Sequence, residues 1–111
     1  MDLENIARTY FSTFQNKDLH SLSDMFDEEI SLKDWNIFAQ GKKFVMEANA
    51  EIFNALDKIE VNVQNLYSCD MTIIAEIVIS INDADEILPV VDIITFNSDG
   101  KIESIVAYRG N

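Results

Sequence analysis

From Ile59 to the end of the chain, apolar residues recur at every second position, and this pattern restricts the fold more than any other feature. A period of two puts successive side chains on opposite faces of a strand. KIEVNV alternates Ile59, Val61 and Val63, and a bulge is expected near Gln64 or Asn65, before Tyr67. MTIIAEIVISI sets Met71, Ile73, Ala75, Ile77, Ile79 and Ile81 on one face. EILPVVDIITF does the same with Leu88, Val90, Asp92, Ile94 and Phe96, and KIESIVAYR closes the chain. The connections NDADE and NSDG carry turn residues, the second ending in glycine, so these strands are expected to be antiparallel neighbours.

Ahead of the strands the period is that of helices. Leu3, Ile6, Ala7, Tyr10, Phe11 and Phe14 form one helical face. Asp18 is a plausible N-cap for a short second helix whose buried stripe is Leu19, Leu22, Met25 and Phe26. Ile30, Leu32 and Asp34 then share one face of a strand. After the loop NIFAQG, KKFVMEANAEIFNAL returns to helical spacing through Val45, Ala48, Ile52 and Ala55, flanked by Phe44, Phe53 and Leu56, and ends near Asp57. The order α-α-β-α-β-β-β-β predicts an α+β domain with three helices on one face of a mostly antiparallel sheet. The opposite face also carries hydrophobes, among them Ile74, Val78, Val91, Ile93 and Ile105. An uncovered apolar face of that kind predicts a homodimer packed sheet to sheet.

With 111 residues, 1–111 is expected to be a single domain, and 48% apolar residues are too many for a disordered chain. Twenty acidic against eight basic residues give a formal charge of −12, which repels phosphate backbones and anionic lipids. No nucleic acid or membrane partner is therefore expected. The start MDLENIARTY has neither a basic, apolar leader nor the acid-poor character of a transit peptide, and the single cysteine, Cys69, forms no internal disulfide. Both features fit a cytoplasmic protein, with Cys69 packed as a small strand hydrophobe. His20 lies off the helical stripe and is expected in solvent; without a His or Cys cluster no metal or cofactor is indicated, and three glycines leave no phosphate-cradling loop.

Chemistry, if present, rests on carboxylates. Asp92 sits mid-strand among large hydrophobes, where an ion is costly unless paired, hydrogen-bonded or protonated. Parity puts Asp34 on an apolar face as well, and helix periodicity adds Tyr10 from the buried stripe. Each has a plainer reading: Asp34 as a turn cap, Tyr10 as a core aromatic, Asp92 as the partner of Arg109 or of a tyrosine hydroxyl, or turned outward by a bulge.

Several segments together resemble a known family: ARTYFSTFQNKDLHSLSDMF, the strand ISLKD, Gly41 before the third helix, and the pair VVDIITFNSDGKIESIVAY. The chain resembles the SnoaL-like and NTF2-like proteins, a cone-shaped fold that includes ketosteroid isomerases and polyketide cyclases. The resemblance covers nearly the whole chain. It implies that Tyr10 matches the oxyanion-hole tyrosine, Asp34 the general base, and Asp92 the aspartic acid that gives the second oxyanion hydrogen bond. The chain departs from the family where Phe26 and Asn49 stand at positions often held by tyrosine, and where Trp35 replaces proline after the base. The conical pocket is expected to be walled by Phe14, Phe26, Trp35, Phe53, Val90 and Tyr108.

The resemblance implies a proton-transfer enzyme acting on a small hydrophobic carbonyl compound, with Asp34 moving the α-proton and Tyr10 and Asp92 holding the oxyanion. Two other readings stay open. One is a non-catalytic dimer that binds a hydrophobic ligand or a protein partner; the other is a purely structural assembly module.

Overall fold

A computed structural model describes residues 1–111 and shows helices α1 (Leu3–Gln15), α2 (Leu19–Met25) and α3 (Lys42–Ala55) against one face of a six-stranded sheet. The strands are β1 (Phe26–Lys33), β2 (Phe38–Gln40), β3 (Ile59–Cys69), β4 (Thr72–Ile81), β5 (Glu86–Phe96) and β6 (Ile102–Arg109), in spatial order β2-β1-β6-β5-β4-β3. All pairings are antiparallel except β1 with β6, so the sheet is mixed. The N-caps of α1 and α2 are aspartates: Asp2 accepts from the Asn5 N–H, and Asp18 from the Ser21 N–H and hydroxyl.

The period-two pattern assigns the faces correctly along β4 and β5. Ile73, Ala75 and Ile77, then Leu88, Val90, Asp92, Ile94 and Phe96, are buried beneath the helices, while their neighbours are half-buried on the other side. The expected bulge in β3 appears as a register step between Val63 and Asn65. A second bulge, in β6, was not anticipated. Phe96 pairs with Ile102 but Thr95 pairs with Ser104, which leaves Glu103 unpaired and reverses the facing of everything after it. Counting by twos from Ile102 sends Ile105 outward and Tyr108 inward; the bulge buries Ile105 and turns Tyr108 out, 61% exposed.

Other local expectations also change. The loop NIFAQG contains the short strand β2, paired antiparallel with the end of β1. Leu19 opens α2 and is exposed, and Phe26 leaves the helix to begin β1, though it stays buried. Cys69 ends β3 in an exposed position instead of packing as a small hydrophobe.

Candidate functional site

Between helices and sheet lies a cavity of about 260 Å3 lined by 21 residues, 17 of them hydrophobic. The four others are Asp34, Asn36, Asn49 and Asp92; Tyr10 adds a hydroxyl to the apolar lining, and Trp35 and Ile37 stand at the β1–β2 turn. Of the residues expected to wall a pocket, Phe14, Trp35 and Val90 do so. Phe26 and Phe53 lie one layer back: the Phe26 ring is 6.3 Å from that of Tyr10, and Phe53 meets Phe14 edge to face at 5.1 Å. Tyr108 is on the opposite side of the sheet, for the register reason given above.

Strand register explains how the floor of the cavity can hold a carboxyl group. Asp92 on β5 stands between Ala75 on β4 and Ala107 on β6. Both neighbours are alanines, so neither crowds the carboxyl, and Ala107 lines the cavity beside Asp92. Asp92 is only 7% exposed, and burial, followed by the charge of Asp34, pushes its carboxyl up to about 7. The ion pairs of the chain lie elsewhere, and Arg109, opposite Val90 at the exposed end of β6, does not reach Asp92.

Asp34 follows the last rung of the β1–β6 ladder, Lys33 opposite Val106. Continued by one residue, that ladder sets it beside Ala107, with Asp92 on the far side, roughly 9–10 Å away between Cα atoms at two strand spacings. Its Oδ1 accepts from the Asn36 and Ile37 N–H groups, both at 2.7 Å, and so caps the β1–β2 turn. The other oxygen, Oδ2, is left for the cavity that the residue lines. The turn-cap reading and the pocket reading therefore describe two oxygens of one carboxylate.

Tyr10 reaches the cavity from α1, its ring held by Phe14 and Phe26. Burial and the nearby Asp92 charge both raise the phenol above its usual range, so it stays a donor. No buried side-chain nitrogen or oxygen in the chain is both sealed and unpartnered. The Tyr10 hydroxyl and the Asp92 carboxyl, which have no protein partner, thus open onto the cavity. No group of three or more His, Cys, Asp or Glu side chains is placed to hold a metal ion.

This geometry can be set beside known proteins. The SnoaL-like domain family matches residues 7–105. The chain belongs to the SnoaL-like family. No curated protein matches it. Among solved structures, a candidate isomerase of the SnoaL-like family from Agrobacterium tumefaciens superposes with a TM-score of 0.85 at 14% identity, covering 100% of both chains. A candidate ketosteroid isomerase from Kribbella flavida gives 0.84 at 16% identity over 98% of this chain and 78% of that one. A candidate polyketide cyclase from Sinorhizobium meliloti gives 0.82 at 16% identity over 93% of each. At such identities these likenesses establish the fold.

Asn49, buried on α3, lines the cavity although the sequence marks it only as a departure from tyrosine. A signal was available: Val45, Asn49 and Phe53 recur every four residues on α3, so the amide lies on the same buried stripe as its neighbours.

Proposed function

We propose that this protein is a proton-transfer enzyme of the ketosteroid isomerase or polyketide cyclase type, acting on a small hydrophobic carbonyl compound. The observation that carries this reading is the convergence of Tyr10, Asp34 and Asp92 on one apolar cavity. The carbonyl oxygen is held between the Tyr10 hydroxyl and protonated Asp92, both donors in surroundings that strengthen hydrogen bonds to a developing oxyanion. The carboxylate of Asp34 takes the α-proton through Oδ2 and returns it to the dienolate or enolate carbon, while Oδ1 remains tied to the turn and holds the side chain in place. The outer faces of β3 to β6, with Ile74, Val78, Val91, Ile93, Val106 and Tyr108 half-buried or exposed, support a homodimer formed sheet to sheet.

The test is exchange of the acidic α-protons of 2-tetralone, an apolar ketone, for deuterons, followed by NMR in deuterated buffer. Wild type should accelerate exchange over buffer, Asp34→Asn should lose about 100-fold or more, and Asp92→Asn should keep part of the activity because an amide still donates. Equal, slight losses in both variants would refute the assignment. The largely apolar lining favours a second reading, a non-catalytic dimer that binds a hydrophobic ligand or a protein partner. Tight binding of 2-tetralone with no exchange above buffer would select it.

A further inference from the structure

We propose that Asn49 is a specificity-determining residue whose side-chain oxygen accepts a hydrogen bond from a hydroxyl group on the ligand, so that the compound bound is a hydroxylated ketone. The proposal rests on the carbonyl-binding reading above and adds a second polar contact to it.

Asn49 is 3% exposed and occupies the middle of the inward stripe of α3, between Val45 and Phe53. An amide at that position is unfavourable among hydrophobes unless its polar atoms are satisfied. Half of it is. The Nδ2 group donates to the Val45 carbonyl one turn earlier, at 2.9 Å. Because a carbonyl can only accept, this bond also settles which end of the amide is nitrogen and turns Oδ1 away from the helix. That oxygen has no protein donor, yet no buried side-chain oxygen is sealed off without a partner, so Oδ1 is reached from the cavity that Asn49 lines.

The cavity thus has an acceptor on α3 and two donors elsewhere on its lining, Tyr10 from α1 and Asp92 from the sheet. A ligand with hydrocarbon against α3 would bury Oδ1 unsatisfied, which is the more costly way to lose a hydrogen bond. A hydroxyl at that end satisfies it. The same asymmetry lets a site built for a hydroxyl discriminate against an analogue that lacks one.

The probes are 2-tetralone and its ring-hydroxylated isomers, bicyclic compounds on the scale of a cavity of about 260 Å3. Their dissociation constants are measured for wild type and for Asn49→Leu. At least one hydroxylated isomer should bind wild type about tenfold tighter than the parent ketone, and Asn49→Leu should bring that ratio within about twofold of one. If Asn49→Leu does not fold, the Asn49 side-chain amide resonances of labelled wild type should shift with the favoured isomer and not with the parent. No gain for any isomer overturns the proposal, as does a gain that survives in Asn49→Leu, which would put the hydroxyl at Tyr10 and Asp92 instead. A parent ketone that exchanges its α-protons for deuterons while no isomer gains leaves the carbonyl reading standing and this proposal refuted. A parent ketone that neither binds nor exchanges overturns both.

Discussion

Asp92 is where sequence, packing and chemistry meet at the scale of a residue. Its carboxyl is raised to about 7 by burial and by Asp34, so between about 4 and 7 the folded protein holds a proton that the unfolded chain releases. Stability from this group is greatest below about pH 4, falls as pH rises towards 7, and is level above that. Asp92→Asn removes the dependence, so the variant should be more stable than wild type at pH 8, by on the order of 4 kcal/mol, with the gap closing at pH 4. Urea unfolding at the two pH values measures it. The same protonation predicts that exchange activity declines as pH rises through about 7, and that Asp92→Asn flattens this limb. Asp34 allows a separate test, because asparagine keeps the oxygen that caps Asn36 and Ile37. Asp34→Asn should unfold at nearly the wild-type denaturant concentration, whereas Asp34→Ala should cost about 1 kcal/mol.

At the scale of elements, the position of α3 decides whether Asn49, Ile52 and Leu56 face the cavity, and both ends of the helix are tied down. At its start Gly41 has φ of 91°, and an added Cβ would meet nothing within 4 Å. Gly41→Ala should therefore destabilise through the backbone alone, by about 1–3 kcal/mol, as read from thermal or urea unfolding. At its end the Lys17 ammonium donates to the carbonyls of Leu56 and Asp57, joining the α1–α2 turn to the connection that follows α3. The helices and most strands were legible in the sequence because each has a clean period. The β6 bulge was not, because a single unpaired residue, Glu103, leaves no mark in the hydrophobic pattern and shows only in the pairing with β5. The short strand β2 escaped for a similar reason: three residues, Phe38–Gln40, are too few to express a period.

For the molecule as a whole, the sheet presents helices on one side and half-buried hydrophobes on the other. If that face is the dimer contact, sedimentation should give twice the chain mass at micromolar concentration, and Val91→Lys, on the outer face, should give a monomer with the fold retained. A wild-type monomer would remove the dimer from the proposed function. No helix is long and apolar enough to cross a membrane.

What the sequence determined by itself is the succession of periods, hence the elements, and the parity that puts Asp34 and Asp92 on inward faces. Those are local properties, set by how a backbone repeats. Three things were decided only by tertiary structure. Ala75 and Ala107 flank Asp92 because three strands pair in one register. Tyr108 lies outside the pocket because a bulge reverses β6. The Oδ1 atom of Asn49 has no protein partner because its nitrogen is held by the turn before it. Each depends on which residues far apart in the chain become neighbours, and a hydrophobic period does not encode that.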